Sequence, residues 1–402
     1  MRVLCTAMGS PSHARAVLPF ARALATRGHH VLVATPAHLT HVFDCEPLHT
    51  AAVLPDMAAT ARELTHLMRE DSADPRTAHT KLLVALATGP HATGAARALL
   101  PLAEDFAPDL VLRDGAELGG FLVAEERGIP HLPVPSGNAN LLTPERLAPV
   151  LDRRRAEAAL TTPVEPETIY RYGRLDCMPA SCSFADPGMP GARRYRQPDL
   201  VSRDEVLPTW IAELPSDRPL VLAALGTALP MLTGMRRHGV ALPDHLNDPA
   251  TLLRTITTAL SPLCCEAIVV TGGIDPGPLT APAHIRLTDR VPQPLLLQCS
   301  DLFLTHGGYN GIREAVRAGV PMAVLPQFGD QPHNADRVTE LGLGRRCEPD
   351  ADDITAACEQ LLTDDKTQAA VRQAQRAMLA LPDVTTAADD LAGLVEEHRT
   401  AG

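Results

Sequence analysis

A chain of 402 residues with 45% hydrophobic and 21% charged side chains has the make-up of an ordinary globular protein, with room for two or three domains of about 100–200 residues. Its net charge of −12 gathers late, with 22 acidic against 20 basic residues up to Leu200 and 26 against 16 beyond. With no basic stripe, this excludes nucleic acid bound through phosphate neutralisation. No apolar run approaches the ~20 residues that span a bilayer, so a membrane partner is not expected either. The nine cysteines are odd in number, contain no CxxC pair and include the adjacent Cys264-Cys265. They read as reduced thiols, not as a disulfide framework or a tetrahedral metal site. Met1 to Cys5 leads into a strand and a polar turn instead of a signal-peptide apolar region, so the expected location is cytoplasmic.

In chain order, Val3–Met8 is a short apolar run closed by the turn residues Gly9-Ser10-Pro11-Ser12. Ala14, Val17, Leu18, Ala21 and Leu24 then recur at the spacing of one buried helix face, which Gly28 ends. His30–Thr35 reads as a second strand, and Leu110-Val111-Leu112 as a buried strand that stops at Asp114. A helix from Leu118 to Arg127, the stop Gly128-Ile129-Pro130 and a short strand at His131–Pro135 complete the series. The stretch Leu141–Pro208 is rich in Pro and Arg with weak periodicity, and a linker is expected around Asp199–Pro215. A second series follows, with strands at Leu220–Ala224, Ala267–Val270, Leu302–Leu304 and Met322–Leu325. Between the first two of these lie a long loop, Gly234–Pro249, and a helix at Ala250–Leu260. Such alternation predicts an α/β protein of two doubly wound, parallel-sheet halves with helices on both faces. A ligand cleft is expected between them, at the carboxyl ends of the strands. The expected domains are 1–208, 209–380 and a C-terminal helical segment, 381–402, packing back on the first.

Two places hold candidate chemistry. Thr305-His306-Gly307-Gly308-Tyr309-Asn310-Gly311 joins a strand to a helix. Glycines there allow backbone N–H groups to approach an anion, and the helix N-terminus adds partial positive charge. His306 and Asn310 could add donors, which suits a diphosphate; a plain tight turn is the alternative. The other place is His13, at the start of the first helix. Taken alone it is one histidine among sixteen, and a part-exposed residue without a role is the simpler reading.

The longer run alters both readings. Arg290-Val291-Pro292-Gln293-Pro294-Leu295-Leu296, the glycine segment continuing through Ile312-Arg313-Glu314-Ala315, Ala318-Gly319-Val320-Pro321, Pro326-Gln327-Phe328-Gly329-Asp330-Gln331, Asn334-Ala335 and Gly342 resemble the signature of the nucleotide-sugar-dependent glycosyltransferases of natural products. The match is dense over about fifty residues, and a coarser likeness in strand order covers the chain. The resemblance implies the GT-B fold, two Rossmann-like domains facing a central cleft. It implies that His306, Gly307, Gly308, Asn310 and Gly311 bind the donor diphosphate, with Gly226 and Thr227 facing the phosphates. Glu314 would hold the ribose hydroxyls, with Arg290, at the base-stacking position, Val291 and Gln293 also in the nucleotide site, and Asp330 and Gln331 would bind the transferred sugar. His13 would be the general base that takes the acceptor proton, a task histidine suits near neutral pH. Asp114 would orient its ring, as an Asp does in a hydrolase triad. Asp109 and Arg113 are rivals that strand alternation points elsewhere.

The implied reaction is inverting, metal-independent transfer from a TDP- or UDP-sugar to a hydroxyl of a small-molecule natural product. The nucleotide sugar is a co-substrate, and no cofactor or metal is expected. Plant members begin the signature with Trp where Arg290 stands; a guanidinium can stack on a base or simply be solvated, so uridine and thymidine both remain open. A nucleotide-sugar 2-epimerase of the same fold and a non-catalytic nucleotide-sugar-binding activator subunit are the alternatives. The acceptor would be read by Met57–Thr93, Asn138–Leu160 and Tyr170–Arg196, with Arg153-Arg154-Arg155 a solvated helix face. A monomer or homodimer is expected.

Overall fold

The computed structural model describes residues 1–56, 81, 83–196, 198, 205–227 and 247–401. The chain divides into two compact units, one of Met1–Met178, Ala185–Pro198 and Leu381–Gly402, the other of Pro179–Phe184 and Asp199–Ala380. The change of unit near Pro198 thus precedes the boundary at 208 read from composition, and six residues, Pro179–Phe184, join the second unit from within the first. Most of the long loop at Gly234–Pro249, the start of the linker at Asp199 and most of the acceptor segment Met57–Thr93 lie outside the described residues.

The first unit is built on a parallel sheet of β1 (Arg2–Thr6), β2 (His30–Thr35), β3 (His49–Ala52), β4 (Leu110–Arg113) and β5 (His131–Pro133), in the order β3-β2-β1-β4-β5. Val3, Leu4, Cys5 and all four residues of β4 are buried. A strand covered by helices on both faces requires such a continuous apolar run. The helices are α1 (Pro11–Thr26), α2 (Pro90–Phe106), α3 (Gly119–Arg127) and α4 (Pro144–Glu157). Pro11 opens α1, where its fixed φ suits the first turn and its missing N–H is no loss. Gly28 and Gly128 follow α1 and α3 with φ of +80° and +64°, a conformation that stops a helix and that glycine adopts without strain.

The second unit repeats the plan with six parallel strands, β8 (Leu220–Ala224), β9 (Glu266–Val270), β10 (Ile285–Thr288), β11 (Leu302–Thr305), β12 (Met322–Val324) and β13 (Gly344–Arg346). Their order is β10-β9-β8-β11-β12-β13; β6 (Arg174–Asp176) and β7 (Ala192–Arg194) form a separate pair in the first unit. The second unit's helices are α5 (Pro249–Leu260), α6 (Gln293–Leu297), α7 (Tyr309–Ala318), α8 (Gln331–Glu340), α9 (Ala351–Thr363) and α10 (Asp365–Leu379). In the two large sheets three strands escape the sequence pattern, β3, β10 and β13, and each lies at a sheet edge; the small pair β6 and β7 escapes it as well. Edge strands are only partly covered, so His49–Ala52 and Gly344–Arg346 need no continuous apolar run.

The last helix, α11 (Ala387–Ala401), belongs to the first unit and buries Ala388 and Leu391 completely. Polar ties fix its rotation. The Tyr195 hydroxyl donates to Asp390 at 2.6 Å, Arg399 donates to Asp109 at 2.6 Å, and His398 lies 2.9 Å from the Gly128 carbonyl. Because α11 packs on α1, it supports the helix that begins beside His13. Leu391→Ala should therefore lower the stability of the first unit by about 2–5 kcal/mol through the cavity it leaves. Urea unfolding followed by Tyr and near-ultraviolet signals measures this, and a loss below about 1 kcal/mol would contradict the packing described.

Candidate active site

In the first sheet, order reverses between β1 and β4, and the chain leaves these two strands in opposite directions. Thr6 pairs with Arg113, and the Asp114 N–H donates to the Thr6 carbonyl at 2.8 Å. This register sets the residues after both strands at the same level. After β1 the chain turns at Gly9, whose φ of +91° an L side chain rarely adopts, and whose Cα faces the His13 ring. The N–H of His13 donates to the Ser10 carbonyl at 3.0 Å, closing the first turn of α1. His13 Nδ1 then lies 2.8 Å from Asp114 Oδ2. The His13 side chain is 26% exposed while that of Asp114 is 1% exposed. An ionised carboxylate only accepts, so Nδ1 carries the proton of the neutral ring and Nε2 carries the lone pair. Asp114 Oδ2 also accepts from the Ala116 N–H at 3.1 Å, which fixes the carboxylate plane.

Beneath this pair lies a buried carboxylate that sequence reading missed. Glu117 is 1% exposed, accepts at 2.5 Å from the Thr6 hydroxyl, and takes the N–H groups of Gly119 and Gly120 at 2.8 to 3.1 Å. It thereby caps α3 and ties β1 to the loop after β4. Burial pushes its carboxyl up, against the opposing pull of the hydroxyl and amide donors and of Arg113. Arg113, named as a rival to Asp114, is fully buried in the other direction, with its guanidinium over the Tyr170 ring at 5.6 Å. Asp109, the other rival, receives the Arg2 N–H at 2.7 Å at the opposite end of β4.

The second sheet reverses order between β8 and β11, where Thr305 pairs with Ala224. Gly226 and His306 therefore meet. A Cβ on Gly226 would stand 2.4 Å from His306 Cε1, and one on Gly308 would stand 2.5 Å from His306 Nε2. The imidazole is held between two glycines, either of which would displace it by gaining a methyl group. His306 is buried, and removal from water outweighs the opposing pull of its backbone hydrogen bond to Ala224 and pushes its pKa down to about 4. At neutral pH it is an uncharged ring. Beside it, Gly308 caps α7, so the first turn of that helix and its positive dipole end lie at the same place.

Other expected donor residues fall into two groups. Gln293, at the start of α6, donates through Nε2 to Glu314 Oε2 at 2.7 Å. Asp330 caps α8, and its Oδ2 accepts from Asn334 at 2.8 Å. Gln331 turns its Oε1 inward to the N–H groups of Gln327 and Phe328 at 2.9 and 3.1 Å. The amide NH₂ is thus the end of Gln331 that these bonds leave for a ligand. Thr227 and Arg290 are exposed and Val291 is half-buried; no side-chain hydrogen bond or ion pair holds Thr227 or Arg290 among the described residues. Gln327 and Asn334 are further site residues that the sequence reading quoted without assigning a role. Gln327 also joins Asn247 at 3.0 Å, and both residues act through neighbours, which spacing alone does not reveal.

Among the described residues, no helix is long and apolar enough to cross a membrane, and no group of three or more His, Cys, Asp or Glu side chains could hold a metal. Two Rossmann-like parallel sheets, one ending in a His–Asp pair and the other in a glycine-rich helix N-terminus, define a GT-B protein. Residues 256–394 match the C-terminal domain of the erythromycin biosynthesis protein CIII-like family. The L-demethylnoviosyl transferase of Streptomyces niveus is 30% identical, over 100% of this chain and 99% of its own length. The 10-deoxymethynolide desosaminyltransferase of Streptomyces venezuelae is 27% identical, over 97% and 92%. The solved spinosyn rhamnosyltransferase SpnG superposes with a TM-score of 0.75 at 24% identity, covering 98% of this chain and 100% of that one. The chain belongs to the glycosyltransferases of antibiotic and related natural-product biosynthesis.

The depressed His306 pKa has a measurable consequence. The unfolded histidine titrates near 6.5 and the folded one near 4, so the unfolded state binds the extra proton in between. Stability is therefore retained above about pH 6.5 and falls as the pH is lowered towards 4. His306→Gln should flatten that fall, read as the shift in urea midpoint between pH 7 and pH 4.5; an unchanged shift would show that His306 is not the titrating group.

Proposed function

We propose that this enzyme transfers a sugar, with inversion and without a metal, from a thymidine or uridine diphosphate sugar to a hydroxyl of a small-molecule natural product. The observation that carries the reading is the 2.8 Å bond between His13 Nδ1 and the buried Asp114 carboxylate. It makes Nε2 the basic nitrogen and stabilises the imidazolium formed when the acceptor proton arrives, as in other His–Asp pairs. The acceptor oxygen attacks the anomeric carbon as the nucleotide diphosphate leaves from the opposite face, so the configuration inverts.

The leaving group's negative charge is met by the N-terminal amides of α7 and by the neutral His306 ring acting as a hydrogen-bond donor. Such fixed dipoles need no cofactor. Glu314, steadied by Gln293, accepts from the ribose hydroxyls, while Val291 and Arg290 lie beside the base. Asp330 and the Gln331 amide take the sugar hydroxyls, a carboxylate and an NH₂ together offering acceptors and donors. Thymidine is the favoured base because SpnG has been solved with thymidine diphosphate and with the spinosyn aglycone. The acceptor is accordingly an antibiotic-type aglycone.

His13→Ala should lower kcat by about 10²–10⁴-fold. Asp114→Asn should also lower it severely, because an amide no longer selects the Nδ1–H tautomer. Thymidine diphosphate protection against thermal unfolding should survive in both. Full turnover in His13→Ala would sink the base assignment, and sugar interconversion without acceptor would identify an epimerase instead. In the wild-type enzyme, a chelator should leave the rate unchanged and NMR of the product should show the inverted anomer; a chelator-sensitive rate or retained configuration would overturn the corresponding part of the mechanism.

A further inference from the structure

We propose that Asn334 is a positioning residue that sets the phosphate-binding and sugar-binding groups of the second unit at a fixed separation through one side-chain amide. The proposal rests on the assignment of Asp330 to the sugar and of the α7 N-terminus to the diphosphate. Asn334 lies in the first turn of α8 and is fully buried. Its Nδ2 is 2.9 Å from the Gly307 carbonyl and 2.8 Å from Asp330 Oδ2. A carbonyl and a carboxylate only accept, so both must face the NH₂ group, and its two protons serve one bond each.

Each bond aims a different group. The Gly307–Gly308 peptide is trans and planar, so holding the Gly307 oxygen on one side directs the Gly308 N–H to the other. Gly308 is the cap of α7, where the diphosphate is received. Gly307 has little freedom to escape this restraint, because its φ is +82° and a Cβ there would stand 2.6 Å from Val324 Cγ1. The second bond fixes the carboxylate of Asp330 at the opposite end of the same contact. The anomeric carbon lies between the phosphate and the sugar hydroxyls, so Asn334 governs the distance across which the scissile bond is held.

Two further observations favour positioning over simple packing. Asn334 Oδ1 is buried with no hydrogen-bond partner, a penalty that a small apolar residue would not incur. The helix that carries Asn334 is itself anchored, since His333 Nε2 lies 2.9 Å from the Phe184 carbonyl and Arg337 Nε donates to the Ser183 carbonyl at 2.9 Å. A rigid base is what a distance-setting side chain requires.

The test uses Asn334→Asp, which keeps the shape but cannot donate two bonds, together with Asn334→Ala, Asp330→Ala and the Asp330→Ala/Asn334→Ala double variant. Thermal unfolding without ligand, affinity for thymidine diphosphate, affinity for the thymidine diphosphate sugar, and kcat are measured on the full chain. Asn334→Asp and Asn334→Ala should each lose about tenfold to a hundredfold in kcat, with thymidine diphosphate affinity within about threefold of wild type. The affinity advantage of the sugar nucleotide over the bare diphosphate should shrink in both. In the double variant the losses should be markedly smaller than the product of the single ones, because the two residues act through one bond. Near-normal kcat in Asn334→Asp, multiplicative losses, or equal falls in bare-diphosphate affinity and kcat that follow the unfolding temperature would each overturn the proposal. A wild-type chain that binds sugar nucleotides but transfers nothing would refute the transferase mechanism alone, since the affinity advantage still reports on Asn334.

Discussion

Parallel pairing of strands is the constraint on which the site depends. In a parallel sheet every strand delivers its carboxyl end to the same edge, and where the order reverses the two adjacent connections must part. Between β1 and β4, and again between β8 and β11, the order reverses in this way and the residues that follow the two strands stand side by side. The registers Thr6 with Arg113 and Thr305 with Ala224 set those residues at matching height. His13 and Asp114, 101 residues apart, reach hydrogen-bond distance for this reason, and Gly226 touches His306 for the same one.

Burying polar groups is costly, and part of that cost falls on residues assigned to chemistry. Asp114 Oδ1 and Asn334 Oδ1 are buried without a hydrogen-bond partner, and the His306 ring is buried with only the Ala224 backbone beside it. Native interiors satisfy nearly all buried polar atoms, so each of these three is a place where stability has been yielded. The compensation lies close by. Glu117 gathers the hydroxyl of Thr6 and two amides beneath the His–Asp pair, and Gln331 holds the turn that carries Gln327 and Phe328. These residues make the scaffold rigid where the reacting groups must be exact in position.

The two units manage charge differently. In the first, a part-exposed histidine is paired with a buried carboxylate, an arrangement that places the ring's own proton on Nδ1. In the second, His306 is confined between glycines with no carboxylate partner and is held neutral by burial. A neutral donor stabilises a phosphate oxygen without requiring a counter-charge when the site is empty. Neighbouring helix dipoles then supply the remaining positive field.

By itself the sequence determined the α/β class, the interior strands and the positions of the signature. Buried parallel strands need unbroken apolar runs, and glycine-rich turns are visible as residue types. The resemblance of Arg290–Gln331 to a known signature singled out His13, Asp114, His306 and Asp330 as well, although no local rule could choose His13 among sixteen histidines. Tertiary structure decided what lacks a local imprint. Edge strands β3, β10 and β13 carry too little apolar continuity to be read, because most of their side chains are only partly buried or exposed. Glu117 and Asn334 act through contacts with Thr6 and Gly307, residues 111 and 27 positions away, and only the packing of helices and loops against the sheets brings such pairs together.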